Sequence, residues 1–312
     1  MTGTLEVPDL VRDTALALGG ASAVWIDRLP GLVRDLERDW GISAGETLTG
    51  GSAALAIAAT TDAGVPCVLK LLMPGPEDFA GEVRALQLAD GRGFPQVLNF
   101  DPMRRALLLP RLGRKLGALG RSVEHQIEIT CATLKLGWVR VPDSAGMMTG
   151  ADKAAWLRTA IRDTWCGQGQ PCSPAVMATA EAFAARRAAA YDPTNSVLVH
   201  GDAHADNLLE AAASPTGFLL VDPDGLFAEP AYDLAIPMRE WSEVLLAGDP
   251  LILGRDRCAQ LARMTGLDAT AIWEWGFLER LSTGLYCLKL GRPEWAAPML
   301  RVSEAWTAPF KP

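Results

Sequence analysis

The sequence predicts an α+β chain of two lobes, a small strand-rich N-terminal lobe and a larger, mainly helical C-terminal lobe, on three observations. Apolar residues recur at helical spacing over Leu29, Leu32, Val33, Leu36 and Trp40. Short apolar runs bounded by Gly, Pro or Asp then follow between residues 45 and 112. Beyond the Gly-rich stretch Gly113 to Gly120 the helical pattern returns and holds to the end of the chain. At 312 residues, 49% hydrophobic and 21% charged, the chain is long enough to bury two cores and too apolar to stay disordered.

Residues 1–44 read as a helical N-terminal extension that Gly41 ends, since glycine accepts the left-handed conformation after a last helical turn. In the N-lobe, 45–112, the runs Ala53 to Ala59, Val65 to Leu72, Gln96 to Asp101 and Ala106 to Leu109 have strand character. One helix interrupts them, Glu77 to Asp90, with Phe79, Val83 and Leu86 on one face and Pro76 just before its start. Leu109 to Gly113 is the connector. In the C-lobe, 113–312, Ile127, Cys131, Leu134 and Trp138 mark a buried helix face, and Ala178 to Tyr191 is rich in strong helix formers. Extended character is confined there to Ser196 to His200, Leu208-Leu209 and Gly217 to Asp222, and from Pro230 onward the pattern is helical again.

Several function classes drop out on composition. Lys+Arg 29 against Asp+Glu 37 gives a net charge of −8 with no basic block, which disfavours a nucleic-acid partner and weakly suits a cationic ligand. The longest stretch without a formal charge, Thr164 to Ala180, contains two glycines and two prolines, so no membrane partner is expected. Met1 to Leu10 carries Glu6 and Asp9 and lacks a secretory pattern, and the six cysteines form no C-x-x-C pair. Free thiols in a reducing cytoplasm fit that usage.

The densest polar cluster in an apolar setting is His200-Gly201-Asp202-Ala203-His204-Ala205-Asp206-Asn207, preceded by Val197-Leu198-Val199. Fifteen residues beyond Asn207, the run Phe218 to Val221 delivers Asp222-Pro223-Asp224-Gly225. If those two apolar runs form a strand pair, its ends bring an Asp, an Asn and a second Asp around one divalent cation, because Mg²⁺ takes hard oxygen ligands. Such a constellation suits phosphoryl transfer, in which the protein orients an acceptor hydroxyl and neutralises charge. A capped turn is the structural alternative, since Asp and Asn are common there.

H-G-D-x-x-x-x-N has the Asp-to-Asn spacing of the protein-kinase catalytic loop, with Gly201 in place of Arg. With the downstream V-D-P-D-G and Pro230-Ala231-Tyr232-Asp233-Leu234-Ala235, the chain resembles the aminoglycoside phosphotransferase family, whose bilobal fold is protein-kinase-like. Within it, V-D-P-D-G-L-F-A-E-P is most similar to the streptomycin 6-kinase and hydroxyurea phosphotransferase branch, and the resemblance runs over about residues 45 to 290. It implies an enzyme of antibiotic resistance that uses ATP and Mg²⁺ to phosphorylate a hydroxyl of a small-molecule acceptor.

Carried over residue by residue, the resemblance makes Asp202 the catalytic group and Asn207 and Asp222 the metal ligands. Asp224 either shares the metal or points at substrate. His200 fixes the loop by hydrogen bonds, His204 and Asp206 face solvent or substrate, and Asp233 caps a helix and braces the loop. On the nucleotide side, Gly50, Gly51 and Ser52 lie between two strands, where glycines admit a phosphate close to the backbone and equally make an ordinary hairpin. Lys70 is the only lysine in the first 110 residues, and Glu82 follows it at the spacing of the kinase Lys-Glu pair. Backbone groups near Arg111 and Leu112 are implied to bind adenine, Pro110 having no N–H to offer. No A-P-E motif follows D-P-D-G, which disfavours a polypeptide acceptor.

A cationic acceptor such as streptomycin would find carboxylates at Asp206, Asp224, Glu229 and Glu240. The same acids fit a solvated surface, and a neutral acceptor such as hydroxyurea does not need them. Choline, methylthioribose and homoserine kinases share the loop, so it does not choose the acceptor. A pseudokinase scaffold is the reading from a different class, and retention of Lys70, Glu82, Asp202, Asn207 and Asp222 together argues against it.

Overall fold

The computed structural model describes residues 5–51, 53–75 and 78–307, which fall into two compact units, Met1–Gly113 and Arg114–Pro312. The first unit contains α1 (Asp9–Leu18), α2 (Gly20–Trp40), β1 (Ile42–Leu48), β2 (Ala54–Thr61), β3 (Pro66–Leu72), α3 (Phe79–Ala89), β4 (Asn99–Asp101) and β5 (Ala106–Pro110). Its strands form one antiparallel sheet in the order β1-β2-β3-β5-β4. Val11, Ala15, Trp25, Leu29, Val33 and Leu36 of the two N-terminal helices share a core with Leu55, Ile57, Leu69 and Leu71 of the central strands.

The N-terminal extension ends its helix at Gly41 as expected, but it is split in two and its last residues already belong to the sheet. Gly19 and Gly20, both at positive φ, divide it into two helices, and Gly41 at φ 60° closes α2 in the left-handed conformation. Directly after it, Ile42 starts a strand that carries little apolar signal because it is the sheet's edge and is bulged between Ala44 and Thr47. Helix α3 begins at Phe79, where the Asp78 side chain accepts from Gly81 N at 2.9 Å. Glu77, read from sequence as its start, and Pro76, read as the residue just before it, lie outside the described residues.

The second unit contains α4 (Val123–Gly137), α5 (Gly150–Gly167), α6 (Pro174–Ala189), β6 (Val197–Val199), β7 (Leu208–Glu210), β8 (Phe218–Leu220), β9 (Leu226–Ala228), α7 (Ala235–Arg239), α8 (Ser242–Leu246), α9 (Pro250–Thr265), α10 (Ala269–Lys289) and α11 (Pro293–Ala305). At its centre is α10, which packs on α5, α6, α7, α9 and α11 and buries Trp273, Trp275, Phe277, Leu278 and Leu281 completely. Helix α6 starts four residues before the expected Ala178, with Ser173 as cap and Pro174 in the first turn.

One topological expectation is corrected. The runs Val197–Val199 and Phe218–Leu220 are not partners: β6 pairs with β9, and β7 pairs with β8. Three-residue strands carry no register signal in sequence, and each takes the neighbour that the chain turns back onto. No helix among the described residues is long and apolar enough to cross a membrane.

Candidate active site

The polar loop of the second unit starts where β6, buried on all three residues, ends at Val199. His200 is fully buried; its Nε2 lies 2.8 Å from Val221 O, and its Nδ1 accepts from Asp202 N at 3.1 Å. These partners place the proton on Nε2, which donates to the carbonyl, while burial depresses the pKa and keeps the ring neutral. Gly201 sits at φ 95°, and a Cβ there would lie 2.7 Å from Cβ of Asp224, so only glycine fits between the two aspartates.

The loop is braced from below. Asp233, fully buried, accepts from His200 N at 3.0 Å, Gly201 N at 2.8 Å and Trp138 Nε1 at 2.9 Å. Burial raises its pKa against the pull of nearby His200 and these three donors. The sequence reading of Asp233 as a brace matches these bonds, but its cap role does not: α7 begins two residues later, after Leu234, and its first turn has no side-chain cap.

Asp202 presents a half-exposed carboxylate whose two oxygens have different neighbours. Arg239 Nη2 donates to Oδ1 at 2.9 Å, and His204 Nε2 lies 3.4 Å from Oδ2. Burial pushes the Asp202 pKa up, but the hydrogen bond to His204 and the Arg239 charge outweigh it and hold the carboxyl well below the usual range. His204 moves the other way: burial lowers it, Asp202 overcomes that, and its pKa is raised.

Asn207 and the 221–225 turn are tied to the same loop. Asn207 Nδ2 donates to Asp202 O at 2.9 Å, Val221 N to Asn207 O at 2.9 Å, and Gly225 N to His200 O at 3.2 Å. These bonds do what direct strand pairing was expected to do. The amide nitrogen of Asn207 is committed to the loop, and its oxygen is the atom with ligand character. Asp222, held at φ 58°, is exposed, as are Asp206 and Asp224. An amide oxygen with one or two carboxylates suits Mg²⁺, which normally completes its shell with water and phosphate oxygens. Among the described residues no group of three His, Cys, Asp or Glu forms a protein cage of the kind Mg²⁺ dispenses with.

In the first unit, Lys70 stands on β3 between Ala56 and Leu107 of its neighbours, and its Nζ lies 2.5 Å from Oε1 of Glu82 on α3. Both side chains are largely buried, so the pair interacts in a low-dielectric setting. Gly50 takes φ 116°, a conformation open to glycine, and Gly51 follows it; Ser52 lies outside the described residues. Arg111 N donates to Pro66 O at 3.3 Å, so that N–H is already engaged within the sheet.

The acids proposed from sequence for a cationic acceptor have different partners. Glu240 accepts from Arg239 Nε at 3.1 Å, the arginine that also bonds Asp202. Glu229 Oε1 is engaged by Trp275 Nε1 at 2.8 Å and Arg187 Nη1 at 3.2 Å. Asp206 packs against Gly117, where a side chain would collide with its Oδ1. Sequence reasoning missed Arg239, and it read Trp138 only as part of a buried helix face, whereas Trp138 is partly buried just past the end of α4 and donates to Asp233. The one available sign for Arg239 was the charged pair Arg239-Glu240 that ends the apolar run Ala235 to Met238.

Residues 39–286 match the family model described as aminoglycoside/hydroxyurea antibiotic resistance kinase. The chain is 26% identical over 290 residues to a streptomycin 6-kinase of Streptomyces glaucescens, covering 92% of each. It is 30% identical over 243 residues to a hydroxyurea phosphotransferase of Kitasatospora aureofaciens, covering 74% of this chain and 67% of that one. Among solved structures, the choline kinase LicA from Streptococcus pneumoniae superposes with a TM-score of 0.62 at 14% identity, over 91% of this chain and 99% of that one. The aminoglycoside phosphotransferase APH(4)-Ia, in complex with AMP-PNP and hygromycin B, gives 0.57 at 16%, over 88% and 97%. The fold is therefore kinase-like, and the chain belongs to the aminoglycoside/hydroxyurea antibiotic resistance kinase family, a small-molecule phosphotransferase acting on hydroxyl groups.

Proposed function

We propose that the protein transfers the γ-phosphoryl group of ATP, with Mg²⁺, to a hydroxyl of a streptomycin-like acceptor, and that Asp202 is its catalytic residue. The observation that carries this reading is the environment of Asp202: an ionised carboxylate on a loop locked by His200 and Asp233, with Asn207 bonded to its own carbonyl. In this role Asp202 accepts a hydrogen bond from the acceptor hydroxyl, orients it and receives its proton as the phosphorus–oxygen bond forms. Lys70, oriented by Glu82, binds phosphate oxygens, and the amides of Gly50 and Gly51 approach them. Ser52 belongs to the same proposed phosphate loop. Arg111 and Leu112 offer backbone groups to adenine. Asn207 and Asp222 hold Mg²⁺, with Asp224 as a neighbour of either metal or substrate, and the metal supplies charge neutralisation on the phosphates.

For the acceptor, Asp206, Asp224, Glu229 and Glu240 are the proposed carboxylates for guanidinium groups, Glu229 being also bonded to Arg187 and Trp275. A second reading, a small neutral acceptor of the hydroxyurea type, is favoured by the same partners: Glu229 and Glu240 already face Arg187 and Arg239. A coupled assay of Mg²⁺-dependent ADP release over streptomycin, other aminoglycosides, hydroxyurea and amino alcohols, with mass spectrometry of the product, tests both. A phosphorylated streptomycin supports the first reading; a phosphorylated hydroxyurea alone replaces it with the second; no acceptor-stimulated release rejects both.

A further inference from the structure

Arg239 reaches Asp202 from the last residue of α7, a helix of only five residues, and so short an element has little rigidity of its own. Its position is set from α10. Gly276 lies in the middle of that 21-residue buried helix, where glycine is a poor helix former and needs a packing reason. The reason is α7: a Cβ at Gly276 would lie 2.5 Å from Cβ and 2.9 Å from Cγ of Met238, the residue before Arg239. One turn further along α10, Arg280, completely buried, donates from Nη2 to Met238 O and from Nη1 to Ser242 Oγ, each at 2.6 Å. Arg257 of α9 adds Nη1 bonds to Glu240 O at 2.8 Å and Pro237 O at 3.3 Å. Carbonyls at and after the end of α7, which have no partner inside a helix that stops there, are thus held by two buried guanidinium groups. The chain then turns through Trp241 at φ 53°.

We propose that the Gly276–Arg280 face of α10 is a positioning site for catalysis: the missing side chain at 276 sets the depth of α7, and the Arg280 guanidinium sets its end, together aligning Arg239 with Oδ1 of Asp202. Neither residue touches the catalytic carboxylate, and both act through Arg239. The inference rests on the reading of Asp202 as the catalytic group.

The test is a double-mutant cycle on the full chain, following ADP release with streptomycin, hydroxyurea or water as acceptor, whichever the wild type turns over fastest. Gly276→Ala is expected to lower kcat about tenfold or more while KM for ATP stays within about twofold, and to add nothing to the loss in an Arg239→Gln background. Ser242→Ala, which removes one Arg280 partner without adding volume, is expected to show the same pattern in milder form and serves where Gly276→Ala fails to fold. Arg280→Lys is expected to retain more activity than Arg280→Met. If Gly276→Ala and Ser242→Ala both turn over at the wild-type rate, or their losses multiply with that of Arg239→Gln, α10 is a packing element only and the inference is overturned. Asp202→Asn, run alongside, separates the two claims. An inactive Asp202→Asn beside a wild-type-like Gly276→Ala rejects the positioning site alone, and an active Asp202→Asn rejects the Asp202 reading and the inference with it.

Discussion

Arg239 Nη2 donates to Asp202 Oδ1 at 2.9 Å across 37 residues of sequence, while His204 stands 3.4 Å from the other oxygen. A carboxylate flanked by two donors is ionised and fixed in direction, which suits a group that must aim a hydroxyl more than one that must be strongly basic. Replacing Arg239 with Gln is therefore expected to lower kcat by about 10- to 100-fold, part of the roughly 10²–10⁴ that a positioned acid–base group contributes, with KM for ATP little changed. Arg239→Lys keeps the charge without the planar fork and should fall in between. Steady-state kinetics in ATP and acceptor check both.

Lys70 and Glu82 make a prediction of the opposite kind, on nucleotide and not on acceptor. Lys70→Ala removes the proposed charged contact to phosphate and should cost about 10- to 100-fold in kcat/KM for ATP, the equivalent of roughly 1.4–2.7 kcal/mol. Glu82→Gln leaves the lysine in place without its 2.5 Å ion partner and should cost less. Titration of each variant with an ATP analogue, read by fluorescence or calorimetry, measures the effect without turnover.

Asn207→Ala and Asp222→Ala are expected to raise the Mg²⁺ concentration for half-maximal rate as well as lowering the maximum. A Mg²⁺ titration at saturating ATP separates them from Arg239→Gln, whose Mg²⁺ dependence should match wild type. If Asp224→Ala shifts the Mg²⁺ requirement and Asp222→Ala does not, the metal belongs to the second aspartate of the turn.

His200 gives a dependence of stability on pH. Its folded pKa is depressed by burial below the ordinary value near 6.5, so its contribution is present above that value and is lost as pH falls through the unfolded pKa towards the folded one. One proton taken up on unfolding gives a slope of at most about 1.4 kcal/mol per pH unit. His204, with a raised pKa, contributes in the opposite sense over the same range. The measurement is therefore the difference between wild type and His200→Asn: denaturant midpoints between pH 7 and pH 5 should fall more steeply for wild type.

The parts of this site that were legible in sequence are those whose chemistry lies within a short window. Asp202 and Asn207 are five residues apart on one loop, and Lys70 precedes Glu82 by one strand end and one helix start, so the resemblance to the kinase motifs brings each pair together. The roles of Arg239 and Trp138 escaped because their partners, Asp202 and Asp233, lie 37 and 95 residues away and meet them only through the packing of the helical unit. The strand pairing failed for a related reason: β6 and β8 are only three residues each, too short for alternation to mark a face or a partner. Strand β1 was hidden by its edge position and bulge, whereas the start of α6 at Ser173-Pro174 was a readable cap that the apolar count passed over.

The central claim is that Asp202 aims the acceptor hydroxyl and receives its proton as the phosphorus–oxygen bond forms, with other residues binding the nucleotide. Its most direct test compares wild type with Asp202→Ala in acceptor-dependent ADP release, alongside ATP binding measured without an acceptor. The expected result is a rate reduced by about 10² to 10⁴ with ATP affinity within about twofold of wild type. Wild-type turnover in Asp202→Ala, or a loss of rate fully explained by lost ATP binding, would contradict it.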